Sequence, residues 1–285
     1  VVTEIDAAKF LGQRLHNSPP ILGKPGFSLP DESDFLCLHV VDEMSKIAAA
    51  EMGIQLVFNR AENSQEKAVM LYRRGMKRKG LRIYFSDNSF GNVIALENES
   101  GLVGSLKIFG SNCTIIDRGA SEKLATVQMN FWVDHGLLYW GKNSTSNGFF
   151  SELSADGNAL IFGEDCNLAS EIIIRPTDMH AVVTADSGRI INRGGPVILF
   201  PHVWVGQRAM IMKRVIIGPG SIVGAASVVT KRIGAGVAVG GNPARVIRDN
   251  VVWTRTLNPS EAHIDAVRAI CETYRPDFSH YVASH

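Results

Sequence analysis

The chain has almost no charge bias and no long apolar run. Over 285 residues, 29 Lys and Arg face 28 Asp and Glu, for a formal net charge of +1. A surface so nearly neutral carries no electrostatic footprint for nucleic acid, and no RNA- or DNA-binding module accompanies it. No apolar stretch approaches the roughly 18 residues of a membrane-spanning helix, so at most peripheral contact with a membrane is expected. No basic-then-apolar segment precedes a small-residue cleavage site, and the expected location is cytoplasmic. Cysteine is scarce: Cys37, Cys113, Cys166 and Cys271 stand far apart with no C-x-x-C pair, which argues against a zinc ribbon or a redox dithiol and for free buried thiols. The G-x-G-x-x-G turn of dinucleotide-binding domains is missing as well, so a nucleotide-binding role has little support.

What is present is a rhythm of six. Leu199, Val205, Ile211, Ile217, Val223 and Val229 fall on a strict six-residue step, and the next step lands on Ala235. A helical face repeats near 3.6 residues and a half-buried strand every two, so neither explains the pattern. Glycine follows the marked residue in Val205-Gly206, Ile217-Gly218 and Val223-Gly224. Each hexapeptide then reads as a short strand plus a corner, with one aliphatic side chain pointing into a narrow prism that only stacked coils can bury. The expected fold is mainly β, a left-handed parallel β-helix. The pattern begins faintly at Phe109-Gly110 and Ile115, blurs over 121–134, and is clear at Phe162-Gly163, Leu168 and Ile174. Leu199 lies one residue beyond four whole steps from Ile174, so a loop must leave the coil between them.

Around the repeat, the sequence predicts an N-terminal α/β or helical domain over 1–100, the β-helix over 101–250, and a C-terminal helix and tail over 251–285. A short amphipathic run (Ile5, Phe10, Leu11, Leu15) leads into a loop rich in Pro and Gly. Strands are expected at 34–40, 54–60 and 81–85, with helices at 41–53 and 64–80. Alternation of this kind suggests a small layered α/β unit. The basic cluster Arg73, Arg74, Lys77, Arg78, Lys79 and Arg82 reads as a solvated helix face; the sharper alternative is attraction of an anionic polymer or membrane surface. After Arg248 the repeat stops, and Asn258 or Ser260 is a plausible N-cap for a helix carrying Ala262, Ile264, Val267, Ile270 and Cys271.

The run IIIRPTDMHAVVTADSGRIIN (172–192), with HVWVG (202–206), SIVGAASVVTK (221–231) and GNPARVI (241–247), resembles the hexapeptide-repeat acyltransferases. Within them it is most similar to bacterial capsular and exopolysaccharide O-acetyltransferases, including those acting on sialic-acid-containing polymers. The resemblance covers roughly 138–255. It implies acetyl-CoA as co-substrate, a saccharide or polysaccharide acceptor, a homotrimer, and no metal. Other acceptors stay open: a small sugar, a nucleotide sugar or a xenobiotic. So does a non-catalytic β-helix scaffold.

O-acetyl transfer from a thioester needs a base for the hydroxyl proton, stabilisation of the tetrahedral oxyanion, and a slot for the pantetheine arm; histidine suits the first. Any one of the eight histidines, taken alone, is more often a surface or packing residue. The resemblance singles out His180, in D-M-H of the extruded loop, as general base, with Asp178 as a possible orienter of its ring or a cap of the loop. Trp204 of H-V-W is implied beside the acetyl-CoA or acceptor site, whereas His202 is expected to pack at a corner. The cofactor slot is implied at Gly224, Ala225, Ser227, Thr230, Lys231, Pro243 and Arg245, with the two cations toward the CoA phosphates. Arg214 and Ala226 stand where glycine is common in the family, and Phe200-Pro201 replaces the usual Gly-Asp/Asn. A metal-dependent hydratase on the same fold would need coil-borne histidines, yet the one H-x4-H pair is His280 and His285, beyond the coils.

Overall fold

The computed structural model describes residues 2–16, 18–30, 35–59, 65–119 and 124–284. Its body is a left-handed β-helix whose strands stack in parallel. One wall is the sheet built from Ala68–Arg73, Asn92–Leu96, Thr114–Asp117, Leu137–Trp140, Ala159–Phe162, Val197–Leu199 and Ile216–Ile217, extended by the antiparallel strands Phe35–Val40 and Val2–Glu4. The other wall begins at Ile54–Val57 and continues through Leu81–Phe85, Leu102–Ile108, Ala125–Phe131 and Thr145–Leu153.

The last of these strands changes the cross-section. Its first residues, Thr145 and Ser146, pair with Asn167 and Leu168, whereas Phe149 to Ser151 pair with Ile172 to Ile174; the register shifts in between. From there the second wall is two faces, one carrying Trp204–Val205 and Ile222–Val223, the other Met210–Met212 and Val228–Val229. Below this point the coil has two walls, and above it three. In the three-walled part the six-step residues lie over one another: Leu199 pairs with Ile217, Val205 with Val223, and Ile211 with Val229. All six are fully buried.

Two apolar layers hold the molecule. The inner one fills the coil, for example Ile94, Leu96, Ile115, Leu138, Trp140, Leu160 and Phe162. The outer one lies on the first wall, where Val93, Ala95, Ile116, Tyr139, Ile161, Ile198 and Phe200 are covered by helix α1 (Ala7–Arg14), by Ile21 and Phe27 of the following loop, and by helix α3 (Glu261–Ser284). Phe200 meets Phe27 and Phe278 edge to face, each with centroids 5.1 Å apart. First-wall strands are therefore buried on both faces, and Asn92–Leu96, Leu137–Trp140 and Ala159–Phe162 are buried at every position.

Glycine after the marked residue answers close stacking rather than a special φ. A Cβ on Gly206 would sit 2.6 Å from the Ala225 nitrogen, and one on Gly218 2.6 Å from the Ala235 nitrogen. Left-handed corners are instead turned by larger residues, including His202, Arg208, Arg214 and Ala226, all with φ between 55° and 61°. Each costs of the order of 1–2 kcal/mol relative to glycine.

The N-terminal stretch does mix helix and strand: α1, helix α2 (Glu43–Glu51, with a capping box at Asp42) and the strands Phe35–Val40, Ile54–Val57 and Leu81–Phe85 lie where expected. The expected helix over 64–80 is not formed. Its described part is the strand Ala68–Arg73 and a turn, because Met70 and Leu71 bury on opposite faces of the first wall. The strands Leu81–Phe85 and Asn92–Leu96 pair directly with Leu102–Ile108 and Thr114–Asp117, so both sheets run through residue 100 without a break. The basic cluster is divided accordingly. Arg78 is buried on Asp117 at 2.5 Å and Arg73 reaches Glu97 at 3.3 Å, while Lys77 and Lys79 face solvent. Ser260 is the N-cap of α3, its Oγ accepting from the His263 nitrogen at 3.3 Å; α3 runs on through Pro276 to Ser284.

Candidate active site

The strand Ile172–Arg175 ends at Pro176, and the chain leaves the coil until it re-enters at Val197. The extruded segment is a hairpin: Val183 bridges Ile190, and the Ile191 nitrogen donates to the Val182 carbonyl at 2.9 Å. At its base, Met179 adopts a left-handed φ of 65°, turning the chain immediately before His180. Asn192 holds the two arms together. Its Nδ2 donates to the His180 carbonyl and to Asp178 Oδ2, each at 2.8 Å, and its Oδ1 accepts from the Val182 nitrogen at 2.7 Å. Lys213, one coil on, donates to Asp178 and to the Asn192 carbonyl at 3.2 Å. The hydrogen bond from the Lys213 ammonium, joined by that from Asn192, holds the Asp178 carboxyl below its usual range.

His180 is thus fixed through its backbone while its residue stays exposed to solvent. The structure brings Asp178 onto Lys213 and Asn192, and no Asp178 contact to the His180 ring is found among the described residues. Asn192 and Lys213 are the loop anchors that the sequence did not reveal. Nothing in their local pattern distinguishes them from other surface polar residues, and only the fold brings them to Asp178.

His202, in contrast, is buried. Nδ1 lies 2.6 Å from Asp165 Oδ2 and Nε2 2.9 Å from the Trp253 carbonyl, with the ring stacked on Trp253 at 4.1 Å. Both ring nitrogens are thus engaged within the protein, and neither faces a substrate. Burial works against the ionised form of Asp165, but hydrogen bonds from His202 and Arg255 outweigh it and hold the carboxyl below its usual range. This cluster ties the segment before α3 to the coil.

Trp204 is 39% exposed, on the second face, with Trp253 5.9 Å away. His180 leaves from the corner between the third face and the first, and no described contact joins the two. The expected cofactor residues divide between two edges. Gly224, Ala225 and Ser227 form the corner between the second and third faces, where Ser227 Oγ accepts from the Gly241 nitrogen at 3.2 Å and the Ala244 nitrogen donates to the Val228 carbonyl at 2.8 Å. Pro243 and Arg245 follow directly, exposed on the same edge. Thr230 and Lys231, also exposed, lie at the next corner, beyond the strand Val228–Val229.

All four cysteines are buried thiols outside any disulfide. Burial pushes the Cys113 and Cys166 thiols up to about 12 and Cys271 to about 11, which leaves none of the three poised as a nucleophile. Among the described residues no three His, Cys, Asp or Glu side chains are grouped as a metal ion would require, and no helix is long and apolar enough to cross a membrane. His285 of the H-x4-H pair lies outside the described residues.

No family model matches the chain. Among curated proteins it is similar to the polysialic acid O-acetyltransferase of Escherichia coli O1:K1, 37% identical over 116 residues, 41% of this chain and 38% of the relative. The polysialic acid O-acetyltransferase of Neisseria meningitidis is 30% identical over 176 residues, 61% of this chain and 80% of the relative. Among solved structures, the polySia-specific acetyltransferase NeuO superposes with a TM-score of 0.62 at 24% identity, covering 79% of this chain and 99% of that one. The polysialic acid O-acetyltransferase OatWY follows at 0.50 and 20%, covering 76% and 98%. These likenesses, with the six-residue register and the extruded histidine loop, show that the chain belongs to the hexapeptide-repeat acetyltransferase family.

Proposed function

We propose that the chain is an acetyl-CoA-dependent O-acetyltransferase acting on a hydroxyl of a bacterial surface polysaccharide, a capsular or exopolysaccharide chain that can contain sialic acid. The observation that carries the proposal is His180 itself, an exposed residue on a backbone fixed by Asn192, in a chain whose curated relatives include two polysialic acid O-acetyltransferases. The acceptor hydroxyl gives its proton to His180 as its oxygen attacks the thioester carbonyl carbon. The carbon–sulfur bond then breaks, and His180 returns the proton to the departing CoA sulfur. No acyl-enzyme is required, in keeping with buried thiols of raised pKa. Gly224, Ala225, Ser227 and Pro243 would line the pantetheine slot, with Arg245 and Lys231 at the phosphates and Trp204 as a flat wall beside it.

His180 and Trp204 stand on different edges of the prism, which favours a site shared between neighbouring subunits. Two subunits supply it in the proposed homotrimer. The loop offers the apolar surface that such an assembly would cover: Met179, Val182, Val183, Ile190 and Ile191 are each 39–56% exposed.

Incubation with acetyl-CoA and a panel of sialic, uronic and neutral oligosaccharides, followed by mass spectrometric location of the acetyl group, tests the proposal. Acetylation of a glycan hydroxyl is the expected result. Acetyl-CoA left intact with every acceptor would refute it.

A further inference from the structure

The corner from which the His180 loop emerges continues down the coil as a ladder of stacked turns. The His135 nitrogen donates to the Ser111 carbonyl at 2.9 Å, the Gly157 nitrogen to the Asp134 carbonyl at 3.2 Å, and Asn158 Nδ2 to the Pro176 carbonyl at 3.1 Å. The turn bearing Asp156 is therefore one coil below the base of the loop, and that bearing His135 two coils below.

Helix α1 runs past this ladder without closing on it, and between them lies a cavity of about 510 Å³, within the usual range for small-ligand sites. Its walls are Arg14 and His16 from the end of α1 and Asn112, His135 and Asp156 from three successive turns, over the buried Leu137. The polar groups are arranged rather than loose. Arg14 Nη2 donates to the Gly91 carbonyl at 2.5 Å and approaches Asn112 Oδ1 at 3.5 Å, which spends one nitrogen of the guanidinium and leaves Nε and Nη1 without a described partner. His135 and His16 each make their described hydrogen bond through Nδ1, to Asp156 Oδ1 at 3.2 Å and to the Gln13 carbonyl at 3.0 Å. No step of the transfer reaction uses any of these groups.

A mixture of donors and acceptors around a small apolar floor matches a sugar ring, and a planar cationic fork matches the carboxylate of an acidic sugar. We infer that this cavity is a second saccharide subsite, holding an acidic sugar unit of the acceptor chain distant from the unit being acetylated. The inference rests on the polysaccharide acceptor proposed above. Strand spacing puts the cavity about 10 Å from the base of the His180 loop, a gap that a short oligosaccharide spans along one corner of the prism. The subsite would thus make the enzyme prefer long chains over short ones.

The test uses the protein, acetyl-CoA, and acidic oligosaccharides, sialic and uronic, from the dimer to long chains. Arg14→Gln should raise KM for long oligomers about tenfold, with kcat, KM for the dimer and KM for acetyl-CoA each within about twofold of wild type, the pattern of lost remote binding. His16→Ala/His135→Asn, both at exposed positions, should shift the same parameter in the same direction and decides the matter if Arg14→Gln does not fold. Wild-type KM independent of chain length, or variants that leave the long-chain KM unchanged or raise long and dimer KM equally, overturn the subsite while leaving the transferase reading intact. Failure of the wild type to acetylate any oligomer would reject that reading and the subsite with it.

Discussion

The Asp178 carboxylate lies against the Lys213 ammonium, and both are tied to Asn192, whose amide also holds the carbonyl of His180. The acidic residue two positions before the candidate base is therefore an anchor of the loop. Asn192→Ala should lower kcat between about 10- and 10²-fold, the scale expected when a reacting group is displaced by about 1 Å. The melting temperature should move little, since the hairpin lies outside the core. Wild-type turnover from this variant would show that the loop is positioned by something else.

The stack of Leu199 on Ile217 and Val205 on Val223 gives a stability prediction. Ile217 is fully buried, and Ile217→Ala should cost about 2–5 kcal/mol in urea unfolding. Ile217→Asp, which buries an unpaired charge, should not fold. A soluble Ile217→Asp protein with normal melting would contradict the inward assignment.

Acid stability should depend on Asp165. Its folded pKa is depressed below the unfolded value of about 3.9, so its contribution is fully present above that value and is lost as pH falls through the folded pKa. Asp165→Asn should destabilise the protein at neutral pH by about 1–3 kcal/mol and flatten the loss of stability below about pH 4. Urea midpoints measured across that range check this; parallel curves for variant and wild type would assign the acid sensitivity to other carboxylates.

Arg245 shares an edge with Gly224 and Ser227, whereas Lys231 stands at the next corner. Arg245→Ala should raise KM for acetyl-CoA with a smaller change in kcat, the mark of lost ground-state binding. Lys231→Ala, at the neighbouring corner, should raise the same constant in the same way. Kinetics unchanged in both variants would move the phosphate contacts elsewhere.

The three-walled coil could be read from the sequence because a large aliphatic side chain recurs at every sixth residue there, whereas the second inward set, Val203, Ala209 and Val215, varies in size. Below Thr145–Leu153 the same principle was hidden. Val93 and Ala95 bury outward under the covering layer of helix and loop while Ile94 and Leu96 bury inward, so the strand reads as one continuous apolar run, as strands of a helix-covered sheet do. Tyr72 and Arg73 belong to a strand for the same reason, although the basic residues after them gave the segment a helical cast. At the candidate site, the extruded loop that carries His180 was legible from the broken six-residue register. Asn192 and Lys213 were not, since they act only through contacts that the loop makes on folding.

The most direct test of the central claim is single-turnover acetyl transfer by His180→Ala, alongside acetyl-CoA binding measured by calorimetry. A positioned general base supplies about 10²- to 10⁴-fold, so the rate should fall by at least that range while acetyl-CoA binds as it does to the wild type, because the slot is built from other residues. Near-normal turnover by His180→Ala, or an acetylated enzyme trapped with acetyl-CoA alone, would contradict the account.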